Sequence, residues 1–291
     1  IKTTEGSITF AIIAFFASLV ALSSLSSLSQ PDILLMSGVI ALLAMLFEAI
    51  AWRGLDNIFI PVGSFFALQT HFHLTGQPLL IRLVILLAMA SVLIVTRRKT
   101  TLEGSAVLAV VLFCYFAFVY GGMIWALSPA LLYGSYRLLL PARFHNLTNS
   151  HSIYAVISVA SAGLLWLLFA SHHDAPQYLF PYSLAFAAHA AIISIAHMRF
   201  TGLDKPKVYA ILFASLKAWC LLCLPFVILT PTSKLITLTF CLAPFCIAIP
   251  AMAFYLANSR HQVATDRPTR WIKQAIFAGL GSLIGLMPLV L

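Results

Sequence analysis

Long apolar runs broken by short polar stretches make up this chain. They fall at roughly residues 8–28, 33–51, 58–71, 79–96, 106–125, 129–140, 152–170, 178–197, 208–229, 235–257 and 272–290. The runs are continuous and show no alternation, which predicts helices and not the strands of a membrane barrel. A helix needs roughly 20 apolar residues to cross a bilayer. Most runs meet that length. The runs at 58–71 and 129–140 are short, and each predicts a tilted short helix, a re-entrant segment or an interfacial one. The expected fold class is all-α: a polytopic integral membrane protein with about 11 transmembrane or re-entrant helices.

Composition agrees. Of 291 residues 62% are hydrophobic and 9% charged, a balance that excludes an ordinary soluble domain. The apolar run after Glu5 is too long for a cleavable signal and carries no clear cleavage site. A net charge of +9 in a soluble protein would suggest nucleic acid, but here its distribution matters more. With the N-terminus in the cytoplasm and every run crossing, one side receives Lys2, Arg53, Arg97, Arg98, Lys99, Arg137, Arg143, Arg199, Lys205, Lys207, Arg260, Arg267, Arg270 and Lys273. The other side receives Arg82 and Lys234, and Lys217 falls within a run. Basic residues collect in cytoplasmic loops. The asymmetry therefore predicts a cytoplasmic N-terminus, an odd number of crossings, membrane lipids as partners and no nucleic acid. The expected location is the bacterial inner membrane. The five Cys lie in apolar runs, Cys220-x-x-Cys223 among them, and predict packing and not metal or redox work.

Two polar stretches stand out against this background. The first is Lys2-Thr3-Thr4-Glu5-Gly6-Ser7. The second is Glu48-Ala49-Ile50-Ala51-Trp52-Arg53-Gly54-Leu55-Asp56-Asn57-Ile58-Phe59-Ile60-Pro61. Both fall on the predicted cytoplasmic face, where nucleotides are found. Charge beside hydrocarbon is costly, so Glu5, Glu48 and Asp56 mark a candidate site. Local structure offers a plainer account of each group. Thr4 to Ser7 suit a helix cap, Glu48 suits a pair with Arg53, and Asp56-Asn57 suits a turn and N-cap.

Lys-x-x-Glu-Gly-Ser, an apolar run, then Glu-Ala-x-x-x-x-Gly-x-Asp-Asn-x-x-x-Pro resembles the later part of the dolichol kinase and phytol kinase family. The resemblance covers residues 1–70, and its second half is the specific part. It implies a membrane transferase in which CTP phosphorylates a prenyl or other lipid alcohol, with Mg2+. Carried onto this chain, it implies catalytic roles for Glu48, Asp56 and Asn57. It implies nucleotide and phosphate binding by Lys2, Glu5, Gly6, Ser7 and Gly54, and metal binding by Asp56 and Glu5, with Pro61 shaping the helix that follows. Phosphoryl transfer needs phosphate charge neutralised, a metal held and a hydroxyl positioned. Lys2 suits a phosphate oxygen, and the Gly6-Ser7 amides at a helix start suit an anion. The carboxylates suit Mg2+ or the alcohol proton. The family's upstream Asp-x-x-Ala-x-x-x-Gly segment is absent and the chain opens at Ile1, so a truncated chain lacking part of its nucleotide site is expected.

On this reading residues 1–78 form the later part of a prenol kinase-like domain, and 79–291 form a second multi-span domain of unassigned role. Lys99-Thr100-Thr101-Leu102-Glu103-Gly104-Ser105 echoes the opening motif with one Leu inserted. Shared helix-start chemistry and a duplicated module both account for it, and no second Gly-x-Asp-Asn follows. His71-x-His73, His172-His173 and the pair His189 and His197, eight apart on one helix, lack an acidic companion at ligand spacing. They predict packing or interfacial histidines. Lys217 predicts a snorkelling side chain or the lining of a polar cavity. Two alternatives to the kinase stay open. A phosphatidate cytidylyltransferase-like enzyme would also join CTP to a lipid, but its Lys-Asp and His-Gly-Gly-x-x-Asp-Arg run is absent. A non-catalytic membrane protein or transporter is the other. Oligomeric state is not legible.

Overall fold

The computed structural model describes residues 4–51, 56–96, 100–139, 151–200, 207–258 and 268–287. Among them there is no strand, only an isolated bridge pairing Leu102 with His151. The helices are α1 (Thr4–Leu25), α2 (Gln30–Ile50), α3 (Asp56–His71), α4 (Gln77–Thr96), α5 (Gly104–Gly121), α6 (Met123–Leu139), α7 (Ile153–His173), α8 (Leu179–Phe200), α9 (Lys207–Leu222), α10 (Leu224–Leu229), α11 (Ser233–Thr237), α12 (Ala243–Ala257) and α13 (Pro268–Ile284). Among the described residues, eight helical segments are long and apolar enough to cross a membrane. Three of the eight are compound: a 3-10 turn at Pro176–Tyr178 runs into α8, α9 runs into α10 and α11 into α12. Helices α3, α6 and α13, with 16, 17 and 17 residues, fall just short of that length. Ile8, Ile12, Phe16 and Val20 of α1 and Val84, Val92 and Val95 of α4 point outward. Such faces require hydrocarbon as solvent.

The contacts divide the chain into two units, Ile1–Lys99 with Glu103–Tyr115, and Thr100–Leu102 with Phe116–Leu291. In the first, α2 is the hub. It packs on α1, α3 and α4, and its Met36, Val39, Leu43 and Leu46 are all but fully buried. Gly63 of α3 sits directly on the Phe47 ring of α2, where a side chain would collide with the ring. In the second unit the hub is α8. Helices α6, α7, α9, α12 and α13 all pack on it, and every residue from Tyr182 to Ala196 is at most 6% exposed.

Three prolines inside or beside helices show how polar backbone is settled in this apolar interior. Proline has no N–H, so it orphans the carbonyl four residues earlier. Pro129 orphans Trp125, and the Tyr182 hydroxyl of α8 donates to that carbonyl at 2.7 Å. The sequence predicts a break before Pro129. The chain instead breaks at Gly122, whose φ of 84° is left-handed, and α6 runs through the proline. At Leu238–Leu242 the helix widens to a π-turn, the Ala243 N–H bonding the Leu238 carbonyl. The next donor in that pattern is Pro244, which has none, and the Trp219 indole N–H fills the Thr239 carbonyl at 2.8 Å. Pro250 similarly frees the Cys246 carbonyl, which faces Gly281 so closely that a side chain there would collide with it.

Tyr182→Phe should therefore cost about 1–3 kcal/mol, the penalty for a buried carbonyl left unsatisfied. The same change made beside Pro129→Ala, which restores a backbone donor, should cost much less. Thermal unfolding of the four proteins in detergent reads the coupling; purely additive effects would refute the account.

Candidate functional site

Short connections make neighbouring helices antiparallel. The start of α1, the end of α2 and the start of α3 therefore lie at one end of the first unit. Of the residues expected to form a nucleotide site, Glu5 and Gly6 are exposed and Ser7 half-buried in the first turn of α1. Glu48 is half-buried in the last turn of α2, with Oε2 shut off from solvent. Asp56 is half-buried and Asn57 exposed in the first turn of α3, and Pro61 is exposed one turn on. Two helix N-termini with their partial positive charge thus share this end with three carboxylates. Lys2, Arg53 and Gly54 lie outside the described residues, so the expected Glu48–Arg53 pair does too. Lys99 and the loop holding Asn146 lie outside them as well. Among the described residues no group of three or more His, Cys, Asp or Glu gathers closely enough to hold a metal.

The end is bordered by apolar surface. Ile58 and Val62 of α3 and Ile8 and Ile12 of α1 are all about half exposed or more.

The opposite end of the same unit holds a polar cluster that the sequence reading did not join. Ser29 caps α2 and donates its hydroxyl to Asp32 Oδ2 at 2.6 Å. Asp32 Oδ1 accepts the Gly76 N–H at 2.5 Å, and Gly76 has a left-handed φ of 59°. The carboxylate thereby pins the α3–α4 turn to the start of α2. Beside it His71 is fully buried. Its Nδ1–H donates to the Ala67 carbonyl at 2.7 Å, so Nε2 is the acceptor of the Tyr115 O–H, also at 2.7 Å. The rings are parallel within 2°. Both ring nitrogens of His71 are hydrogen-bonded within the protein, which makes it a packing histidine. Ser29-Gln30-Pro31-Asp32 is a legible cap signal. The 44-residue separation of His71 from Tyr115 left no local sign.

In the second unit Lys217 lies along its helix with Nζ 5.4 Å from the Phe213 ring centre. All five cysteines are free thiols, and Cys114, Cys223 and Cys246 are buried. Another polar group of this unit lies where α6 ends, α7 begins, α8 ends and α13 begins. His151 Nε2 and the Tyr136 hydroxyl are 3.0 Å apart, and the His151 ring stands edge-on to Trp271. His197 stands edge-on to both His151 and Tyr136. Arg270 lies over the Trp271 ring, 4.8 Å from its centre.

No protein-family profile matches the chain, and neither a curated protein nor a solved structure matches it.

Proposed function

We propose that the chain is a membrane transferase that phosphorylates a lipid alcohol with CTP at the cytoplasmic face, its N-terminus cytoplasmic in a bacterial inner membrane. The observation that carries this reading is the shared placement of Glu5, Glu48, Asp56 and Asn57 at one end of the first unit, next to apolar outer surface. It is joined by the Glu-Ala-x-x-x-x-Gly-x-Asp-Asn-x-x-x-Pro pattern.

Phosphoryl transfer asks the protein mainly for position and electrostatics. Asp56 and Glu48 lie at the boundary, where an alcohol headgroup reaches them from the bilayer, and one of them accepts the hydroxyl proton. Asn57 orients its neighbour. The first turns of α1 and α3 offer backbone N–H groups to phosphate. Magnesium in nucleotide enzymes takes one or two protein carboxylates and completes its shell with phosphate and water. Glu5 and Asp56 suit that sparse set, whereas no three-ligand cage exists among the described residues. The ion supplies charge neutralisation on the phosphates.

Membranes carrying the full chain, given prenols of several lengths and CTP labelled at the γ or the α phosphate, test the proposal. Label reaching lipid from the γ position supports it. Label reaching lipid only from the α position identifies a cytidylyl transferase instead. No transfer from either, with the protein folded, overturns the enzyme reading and leaves a transporter or scaffold.

A further inference from the structure

Lys217 carries a charge into the middle of an apolar span. It is the tenth residue of the 22-residue segment Val208–Leu229. Among the described residues no acid pairs with it, and its ammonium meets only the face of the Phe213 ring, 5.4 Å from the ring centre. A helical side chain leans toward the N-terminus, and Lys217 snorkels that way by one turn. Phe213 is itself the sixth residue of the span, so the charge stays within the apolar run. A charge held at such depth calls for a counter-charge.

The acids of this chain lie elsewhere. Glu5, Asp32 and Asp56 are in the first turns of α1, α2 and α3, and Glu48 is in the last turn of α2. Glu103 directly precedes α5, and Asp174 caps the end of α7. In the sequence, Asp204 and Asp266 stand in polar stretches between apolar runs. A second copy of the chain therefore brings no carboxylate to the middle of a span.

The surface beside Lys217 has the spacing of a helix–helix seam. Tyr209, Phe213, Leu216 and Cys220 are all exposed. They follow one another by four, three and four residues, the a/d interval of a heptad. Helix pairs in membranes mostly adopt the left-handed crossing that this interval serves. Lys217 follows Leu216 and so takes the flanking e position, where charge selects the partner. Lipid tails offer neither a periodic ridge nor a negative charge at this depth.

We propose that this outward face of α9 docks a transmembrane helix of a different protein, one with an Asp or Glu near its midpoint, and that Lys217 pairs with that carboxylate. Two charges that hydrocarbon penalises separately then enter it as a hydrogen-bonded pair. The proposal does not rest on the transferase reading, whose residues lie in the first unit.

A designed helix tests it. The purified full chain, carrying Cys241→Ser, is reconstituted in phosphatidylcholine vesicles with a leucine-based helix of about 20 residues. The probe bears a central Glu and one Cys a turn away. A short bis-maleimide joins that Cys to Cys220, which is exposed on the same face as Phe213 and Leu216. Cross-linking should be at least about fivefold greater for the Glu probe than for the same helix with a central Leu. Lys217→Leu should bring the Glu probe down to the Leu level while the unfolding temperature holds or rises. Lys217→Arg should keep most of the difference, since the charge remains. Equal cross-linking of the two probes overturns the proposal, and so does a preference for Glu that survives Lys217→Leu. Vesicles containing a photoactivatable phosphatidic acid supply the remaining outcome. Lys217-dependent labelling of α9 by that lipid, with no preference between the helix probes, assigns the lysine to a lipid headgroup and overturns the proposal as well.

Discussion

Asp56→Asn should lower CTP-dependent transfer to a lipid alcohol by at least about a hundredfold, within the range for loss of a positioned acid or base. Glu48→Gln should do the same or somewhat less. The change is nearly isosteric in each case and falls at a helix end, outside the core that α2 builds with Met36, Val39, Leu43 and Leu46. The unfolding temperature should accordingly stay put. Asn57→Ala removes an exposed amide and should cost less activity than Asp56→Asn. If the plainer account held, with Asp56 serving as an N-cap and dipole partner, the pattern would invert: Asn caps about as well as Asp, and both activity and stability would survive. Transfer rates measured beside melting curves separate the two.

Gly281→Leu should be the most damaging single change in the second unit. A Cβ there would lie 2.5 Å from the Cys246 carbonyl oxygen, 2.8 Å from the Pro250 ring and 3.3 Å from the Ala188 Cβ. The first is backbone and the second a rigid ring, so neither yields as a flexible side chain does. Overpacking of this kind costs about 1–3 kcal/mol or more. Gly134 of α6 is the contrast. It is exposed and a Cβ would meet nothing within 4 Å, so Gly134→Ala should stabilise by up to about 1 kcal/mol through helix propensity alone. Thermal unfolding in one detergent compares them directly. Equal effects from the two glycines would show that close approach of α13 to the Pro250 turn is not what this unit depends on.

Much of the helical plan is legible because it rests on local pattern. Apolar runs of crossing length mark α1, α2, α4 and α7 within a few residues of their observed bounds. The sharing of one end by Glu5, Glu48 and Asp56 follows from counting turns back and forth. The misplaced break between α5 and α6 has a physical reason. Pro129 is tolerated inside α6 because Tyr182, 53 residues later, supplies the missing donor, and no local rule anticipates that. The same holds for Trp219 over the π-turn and for Tyr115 on His71. The His189–His197 spacing was visible on one helix. That Gln274 faces His189 was not, because helix packing alone brings α13 against α8.

The central position of α8 constrains how the protein is made. Among the eight candidate spans it is the least apolar and the most enclosed, whereas Gln77–Thr96, the most apolar, is among the least enclosed. A segment of modest greasiness carrying His189 partitions weakly from the translocon into lipid on its own. Its last wrapping helix, α13, emerges from the ribosome some 70 residues later. Until then α8 has bilayer or neighbouring chaperone in place of α13, and its polar groups face hydrocarbon. A stop in synthesis between α8 and α13 should therefore leave a membrane-integrated but degradation-prone intermediate, so that quality control acts on the completeness of this chain and not on its insertion.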